Sequence, residues 1–145
     1  METLDVVGLL QAAKQLERNI SVSLMYSGLR FPQFRLLHIL SELGQATVTE
    51  LSEKLSVTRA TASVMVNELI RVGAVTVVEN DSDRRSFHVM LTELGTNKLH
   101  VARSDLSALR NKLSARYSDE MIRVLNEFAT EAAVRHEGRM RGSAG

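Results

Sequence analysis

Residues 47–73, TVTELSEKLSVTRATASVMVNELIRVG, hold two helix starts in close succession, and their reading decides the fold. Thr47-Val48-Thr49-Glu50 is a capping box, in which the threonine hydroxyl and the glutamate carboxylate satisfy backbone N–H groups that a helix start leaves without partners. A short helix follows through Leu55, Ser56-Val57 makes a tight turn, and Thr58 caps a second helix. In that second helix Ala62, Met65, Val66 and Leu69 form one apolar stripe, and Gly73 ends it. A short capped helix, a brief turn and a longer helix make a helix-turn-helix, whose second helix is shaped to lie in a DNA major groove.

The opposite face of that helix is built for contact with something polar. At about 100° per residue, Ala60, Val64, Asn67 and Arg71 point away from the stripe, with Thr61 and Ser63 beside them. An amide pairs with adenine, valine methyls meet a thymine methyl, and Arg59 or Arg71 reaches guanine or phosphate. The candidate DNA contacts are therefore Thr58, Arg59, Ala60, Thr61, Ser63, Val64, Asn67 and Arg71. A solvated helix face with one stray valine accounts for the same residues without any ligand.

From Ala74 the apolar period drops to two. Val75 and Val77, a polar turn at Asn80-Asp81-Ser82-Asp83, and then Phe87, Val89 and Leu91 alternating with Ser86, His88 and Met90 predict one β-hairpin. Arg84 and Arg85 follow Asp83 at its tip, where a carboxylate can hold a guanidinium extended toward a minor groove. A charged, soluble tip is the plainer reading. Across residues 50–90 the cations Lys54, Arg59, Arg71, Arg84 and Arg85 are outnumbered by Glu50, Glu53, Glu68, Glu79, Asp81 and Asp83. Attraction to DNA must then come from a few directed arginines, with Arg30 and Arg35 assisting, from helix N-termini, and from doubling in a dimer.

Outward from this centre the chain is helical. Val6, Leu9, Leu10, Ala13, Leu16, Ile20 and Leu24 predict a helix over residues 4–28, and Pro32 to Leu43 a second, closed by Gly44. Thr92 and Glu93 restart a helix in which Leu99, Ala102, Leu106, Leu109 and Leu113 recur as a seam, and Ile122, Leu125, Phe128, Ala129 and Ala132 mark a last one. A chain of 145 residues with 44% hydrophobic and 24% charged residues has the composition of a folding globular protein, and one proline with 4% aromatics favours helices over a β-sandwich. No cysteine means no disulfide, thiolate metal site or thiol switch. The histidines at 38, 88, 100 and 136 lack metal-ligand spacing, and there is no glycine-rich phosphate loop or serine elbow, so neither an enzyme nor a metal or cofactor is expected. Apolar runs fall far short of the roughly 18 residues that span a bilayer, and Glu2 and Asp5 stand where a secretion signal carries basic groups, so a cytoplasmic location is expected. The formal charge of +1 favours no class of partner.

The run Pro32-Gln33-Phe34-Arg35-Leu36-Leu37, with Thr47-Val48-Thr49-Glu50-Leu51, Thr61-Ala62-Ser63, Val66, Asn67, Leu69, Asp83-Arg84-Arg85 and Leu91-Thr92-Glu93-Leu94-Gly95, resembles the multiple-antibiotic-resistance regulator (MarR) family in order and spacing. Departures are Val64 where relatives often carry a basic residue, Arg59 for a common proline, and Glu79 for a frequent basic group. They bear on the operator more than on the fold. The resemblance implies a mainly α (α+β) chain: a winged helix-turn-helix at 32–92 between dimerisation helices at 1–31 and 93–138; the small residues Gly142-Ser143-Ala144-Gly145 predict a flexible tail, placed at 139–145. The resemblance further implies a homodimeric transcriptional regulator on double-stranded, pseudo-palindromic DNA with half-sites roughly 10 base pairs apart. Repression of nearby genes, released by a small anionic or phenolic ligand, is the expected action. Arg18, Met25, Tyr26 and His38 are the candidate effector contacts, each with an ordinary alternative as surface or seam residue. The rival reading is a winged-helix module that binds protein; a basic face at Lys98, Arg103, Arg110, Lys112 and Arg116 is explained by solvation.

Overall fold

The computed structural model describes residues 1–79 and 87–134. Its order is α1 (Val6–Ser23), a 3-10 turn (Met25–Ser27), α2 (Phe31–Leu43), β1 (Gln45–Thr47), α3 (Val48–Leu55), α4 (Arg59–Arg71), β2 (Val75–Glu79), β3 (Phe87–Leu91), α5 (Glu93–Ser114) and α6 (Asp119–Ala132). The chain divides into two compact units, Met1–Leu109 and Arg110–Gly145.

In the first unit one core gathers Leu36, Leu37 and Leu40 of α2, Leu51 and Leu55 of α3, Val66 and Leu69 of α4, Val75 and Val89 of the sheet, and Leu99 and Ala102 of α5. Leu24 and Leu29 reach the same core from the segment before α2. The winged fold thus recruits side chains from beyond residues 32–92 at both ends. The sheet is antiparallel with β3 in the centre, pairing Ala46 with Val89 on one side and Val77 with Val89 on the other.

Two expectations are corrected. The single hairpin is a three-stranded sheet: β1 hydrogen-bonds to β3, and at three residues it is too short to show a period of two. The helix expected over 4–28 stops at Ser23, where Ser27 takes over local bonding. Its hydroxyl donates to the Leu24 carbonyl at 2.6 Å and accepts from the Leu29 amide at 3.2 Å, and Gly28 turns the backbone at φ 73°.

In the second unit α6 is capped by Ser118, whose hydroxyl accepts from the Met121 amide at 3.2 Å. None of its described side chains is buried, and Met121, Val124, Leu125 and Phe128 are exposed. In α1 likewise no residue is buried, and Val6, Val7, Leu9, Leu10 and Leu16 are exposed.

Candidate nucleic-acid interface

The helix-turn-helix forms where its local chemistry dictates. Thr47 Oγ1 accepts from the Glu50 amide at 3.1 Å, and the Thr47 amide donates to Glu50 Oε1 at 3.3 Å, which closes the capping box of α3. Leu51, Ser52 and Leu55 bury its inner face. Ser56 then reverses the chain in the left-handed region at φ 57°, and the Val57 amide reaches back to the Ser52 carbonyl at 3.0 Å. Thr58 starts α4 by accepting from the Thr61 amide at 3.1 Å. The far end of α4 closes with two bonds, Gly73 N–H to the Ile70 carbonyl at 3.0 Å and Ala74 N–H to the Leu69 carbonyl at 2.9 Å. Gly73 holds the φ of 81° that this closure requires.

The faces of α4 fall as the wheel predicts. Ala62, Val66 and Leu69 are buried and Met65 packs on the core, whereas Arg59, Ala60, Thr61, Val64, Asn67 and Arg71 are exposed, and Ser63 is half-buried. Val64 is 57% exposed, an unusual placement for a branched aliphatic that no core uses. Thr58 is exposed too, but much of its hydroxyl is committed: besides its cap it donates to Thr61 Oγ1 at 3.0 Å. Thr61 keeps its own O–H proton for an outside acceptor. The amino-terminal half of α4 stands as a ridge between two open clefts. One, of about 560 Å³, is lined by Thr47, Val48, Thr49, Arg59, Ala60, Ser63 and Phe87. The other, of about 410 Å³, lies between α4 and the start of α2, with Arg30, Gln33, Ala60, Thr61, Val64 and Glu68 on its walls.

Three features of this surface are not legible in the sequence: the cleft positions of Phe87 and Thr47, and the pairing of Arg30, expected there only as an assisting cation, with Glu68. Phe87, half exposed at the start of β3, walls the first cleft. Arg30 donates from its guanidinium to Glu68 Oε2 at 2.6 Å, across 38 positions of sequence. Thr47, read as a helix cap, also lines the cleft. Arg84 and Arg85, the expected wing-tip contacts, lie outside the described residues.

The four effector candidates fall on three elements: Arg18 on α1, Met25 and Tyr26 together in the 3-10 turn, and His38 on α2. Arg18 donates to Gln15 Oε1 from Nε at 3.1 Å and from a terminal nitrogen at 2.7 Å, on the open face of α1. Met25 and Tyr26, in the 3-10 turn, are 72% and 92% exposed. His38 bridges α2 and α5: its Nδ1 lies 3.0 Å from an Arg103 nitrogen, its Nε2 3.1 Å from Glu42 Oε1, and its ring stacks on Phe34. A neutral imidazole with its proton on Nε2 satisfies both neighbours at once. Arg103 also donates to Ser41 Oγ at 2.7 Å. Among the described residues no group of histidine and acidic side chains is arranged to hold a metal ion, and no helix is long and apolar enough to cross a membrane.

The model of the MarR family matches residues 29–87, from the residue before Arg30 through the start of β3. Comparison with curated sequences returns no significant match. Among solved structures, a mutant MarR from E. coli complexed with operator DNA superposes with a TM-score of 0.79 at 21% identity, covering 89% of this chain and 94% of that one. NadR in complex with 4-hydroxyphenylacetate gives 0.76 at 19% identity over 94% and 100%. YusO from Bacillus subtilis gives 0.67 at 22% over 90% and 94%. At such identities the superpositions establish the winged-helix fold, and the family model adds the sequence pattern of its centre. Residues 29–87 thus carry the sequence pattern of the MarR family, set in a fold that the chain shares with solved MarR-type structures along about nine-tenths of its length.

Proposed function

We propose that the chain is a cytoplasmic transcriptional regulator that binds pseudo-palindromic double-stranded DNA as a homodimer. The observation that carries this reading is the outward face of α4, where Ala60, Thr61, Val64, Asn67 and Arg71 are exposed on a helix whose ends and inner face are fully tied down. Such a face has no packing role. Its small, hydroxyl, amide and guanidinium groups suit base edges and phosphates. Ala60, Val64, Asn67 and Arg71 are assigned to bases, Arg59, Thr61 and Ser63 to the groove walls and phosphates, Thr58 chiefly to the cap, and Arg84 and Arg85 to the minor groove.

Dimerisation is supported by the apolar side chains that α1 and α6 leave in water, a state that a soluble chain ordinarily avoids by association. Binding represses adjacent genes, and a small anionic or phenolic ligand relieves the repression by favouring a dimer whose reading helices are wrongly spaced. Arg18, Met25, Tyr26 and His38 are the residues assigned to that ligand. The NadR complex, with a phenolic acid bound in the same fold, supports this part of the reading.

The test is selection of duplexes from a random pool, followed by titration of the enriched sequence across a salt series. A palindromic motif with half-sites about 10 base pairs apart is expected, and its affinity falls as salt rises. A pool that yields no motif, together with a stable protein complex in pull-downs, overturns the proposal in favour of a protein-binding module.

A further inference from the structure

The cleft between α2 and α4 holds an unusual arrangement for a DNA-facing surface. Glu68 lies on α4 one turn after Val64 and in the same cleft as Thr61 and Val64, so its carboxylate stands at the edge of the reading face. Its partner is Arg30, immediately before α2, at 2.6 Å. Neither group is buried: the side chains are 68% and 36% exposed, so the pair adds little to folding, as exposed pairs generally do. Gln33 caps the start of α2 by accepting the Arg30 amide at 3.0 Å, so the backbone there holds without the Arg30 guanidinium. The pair's structural duties are light, and its position beside exposed reading residues is prominent.

Resting on the DNA-binding reading above, we propose that Glu68 is a positioning residue that holds the Arg30 guanidinium away from the nucleic-acid backbone, so that the pair restrains sequence-independent attraction. An arginine with 68% of its side chain in water, flanking the helix that enters the groove, is within reach of a phosphate. While bound to Glu68 it contributes no net charge there. Freed, it adds one phosphate contact, which steepens the salt dependence by about 0.9 in the logarithmic slope. A phosphate contact carries no sequence information, so affinity rises by the same factor on every duplex.

The signs of three variants decide the matter, measured by fluorescence anisotropy on the selected duplex and on a scrambled duplex of equal length, across a salt series. Glu68→Gln is expected to bind both duplexes about 3- to 10-fold more tightly at low salt, with a slope steeper by about 0.9. Arg30→Gln, which leaves a bare carboxylate by the backbone, is expected to bind both more weakly by a similar factor. The double variant, as neutral as the native pair, returns close to the wild-type affinity. All three are expected to melt with the wild-type protein. If both single variants weaken binding and lower the melting temperature, the pair is a structural tie and the proposal fails. If Glu68→Gln changes the ratio of selected to scrambled binding, Glu68 reads a base, for which cytosine is the suitable donor, and the proposal again fails. Wild-type protein that binds no duplex at all removes the DNA reading and this inference with it, whereas binding with the wrong signs removes this inference alone.

Discussion

Gly95, in the first turn of α5, is buried against the carbonyl of Ala74, and a Cβ built on it collides with that oxygen. The carbonyl cannot rotate away: it accepts the Thr92 amide at 3.1 Å, while Thr92 Oγ1 donates to the Gly73 carbonyl at 2.5 Å and accepts the Gly95 amide at 3.0 Å. Thr92 and Gly95 together fasten the start of α5 to the loop that ends α4. In Gly95→Ala the helix gains about 1 kcal/mol of propensity, but overpacking costs about 1–3 kcal/mol. A net loss of up to about 2 kcal/mol is expected in urea denaturation; a raised midpoint shows that α5 does not sit on that carbonyl. The capping contacts of Thr47 with Glu50 and of Thr58 with Thr61 are readable because they span three positions. Arg30 with Glu68 and Arg103 with His38, 38 and 65 positions apart, meet only once the core has folded, and no local pattern announces them.

α4 serves two surfaces at once, and its residues separate cleanly by burial. Val66 is 3% exposed and touches the core, whereas Val64, two residues earlier, is 57% exposed. Val66→Ala is expected to cost about 1–3 kcal/mol, since two buried methyl groups and their contacts are lost. Its DNA affinity at temperatures well below the melt should follow from folding alone. Val64→Ala is expected to leave stability within about 0.5 kcal/mol and yet weaken binding about 5- to 10-fold at a thymine-bearing position. Urea denaturation beside binding curves separates the two, and a Val64→Ala protein with native affinity removes that residue from the reading face. The wheel that divides these valines needs only a period, which is why the face of α4 is visible before folding. β1 is not, because Gln45 and Thr47 become strand residues by bonding to β3 and not by any preference of their own. The seam expected along α5 is likewise divided by the fold: Leu99 and Ala102 are spent on the core, and Leu113 is left exposed.

The molecule taken whole has one well-filled core and two helices, α1 and α6, without a buried residue. On α6, Met121, Leu125 and Phe128 recur at four and three positions, one stripe along the helix, with Val124 beside it; all four are exposed. Folding of the core does not require them, and the proposed dimer is the state that would give them an apolar environment. The paired substitution Leu125→Glu with Phe128→Glu places two carboxylates in that stripe. It is expected to convert a sedimenting dimer into a protomer while the core still melts cooperatively, because none of these side chains belongs to it. On the proposed reading a protomer engages one half-site only. Tethering two binding heads raises apparent affinity by about 10²–10⁴, so loss of the second head should weaken binding to the full operator by at least 100-fold and leave single half-site binding nearly unchanged. A variant that remains dimeric with full operator affinity shows that α6 does not carry the assembly. A monomer with full operator affinity shows instead that each protomer reads its DNA alone.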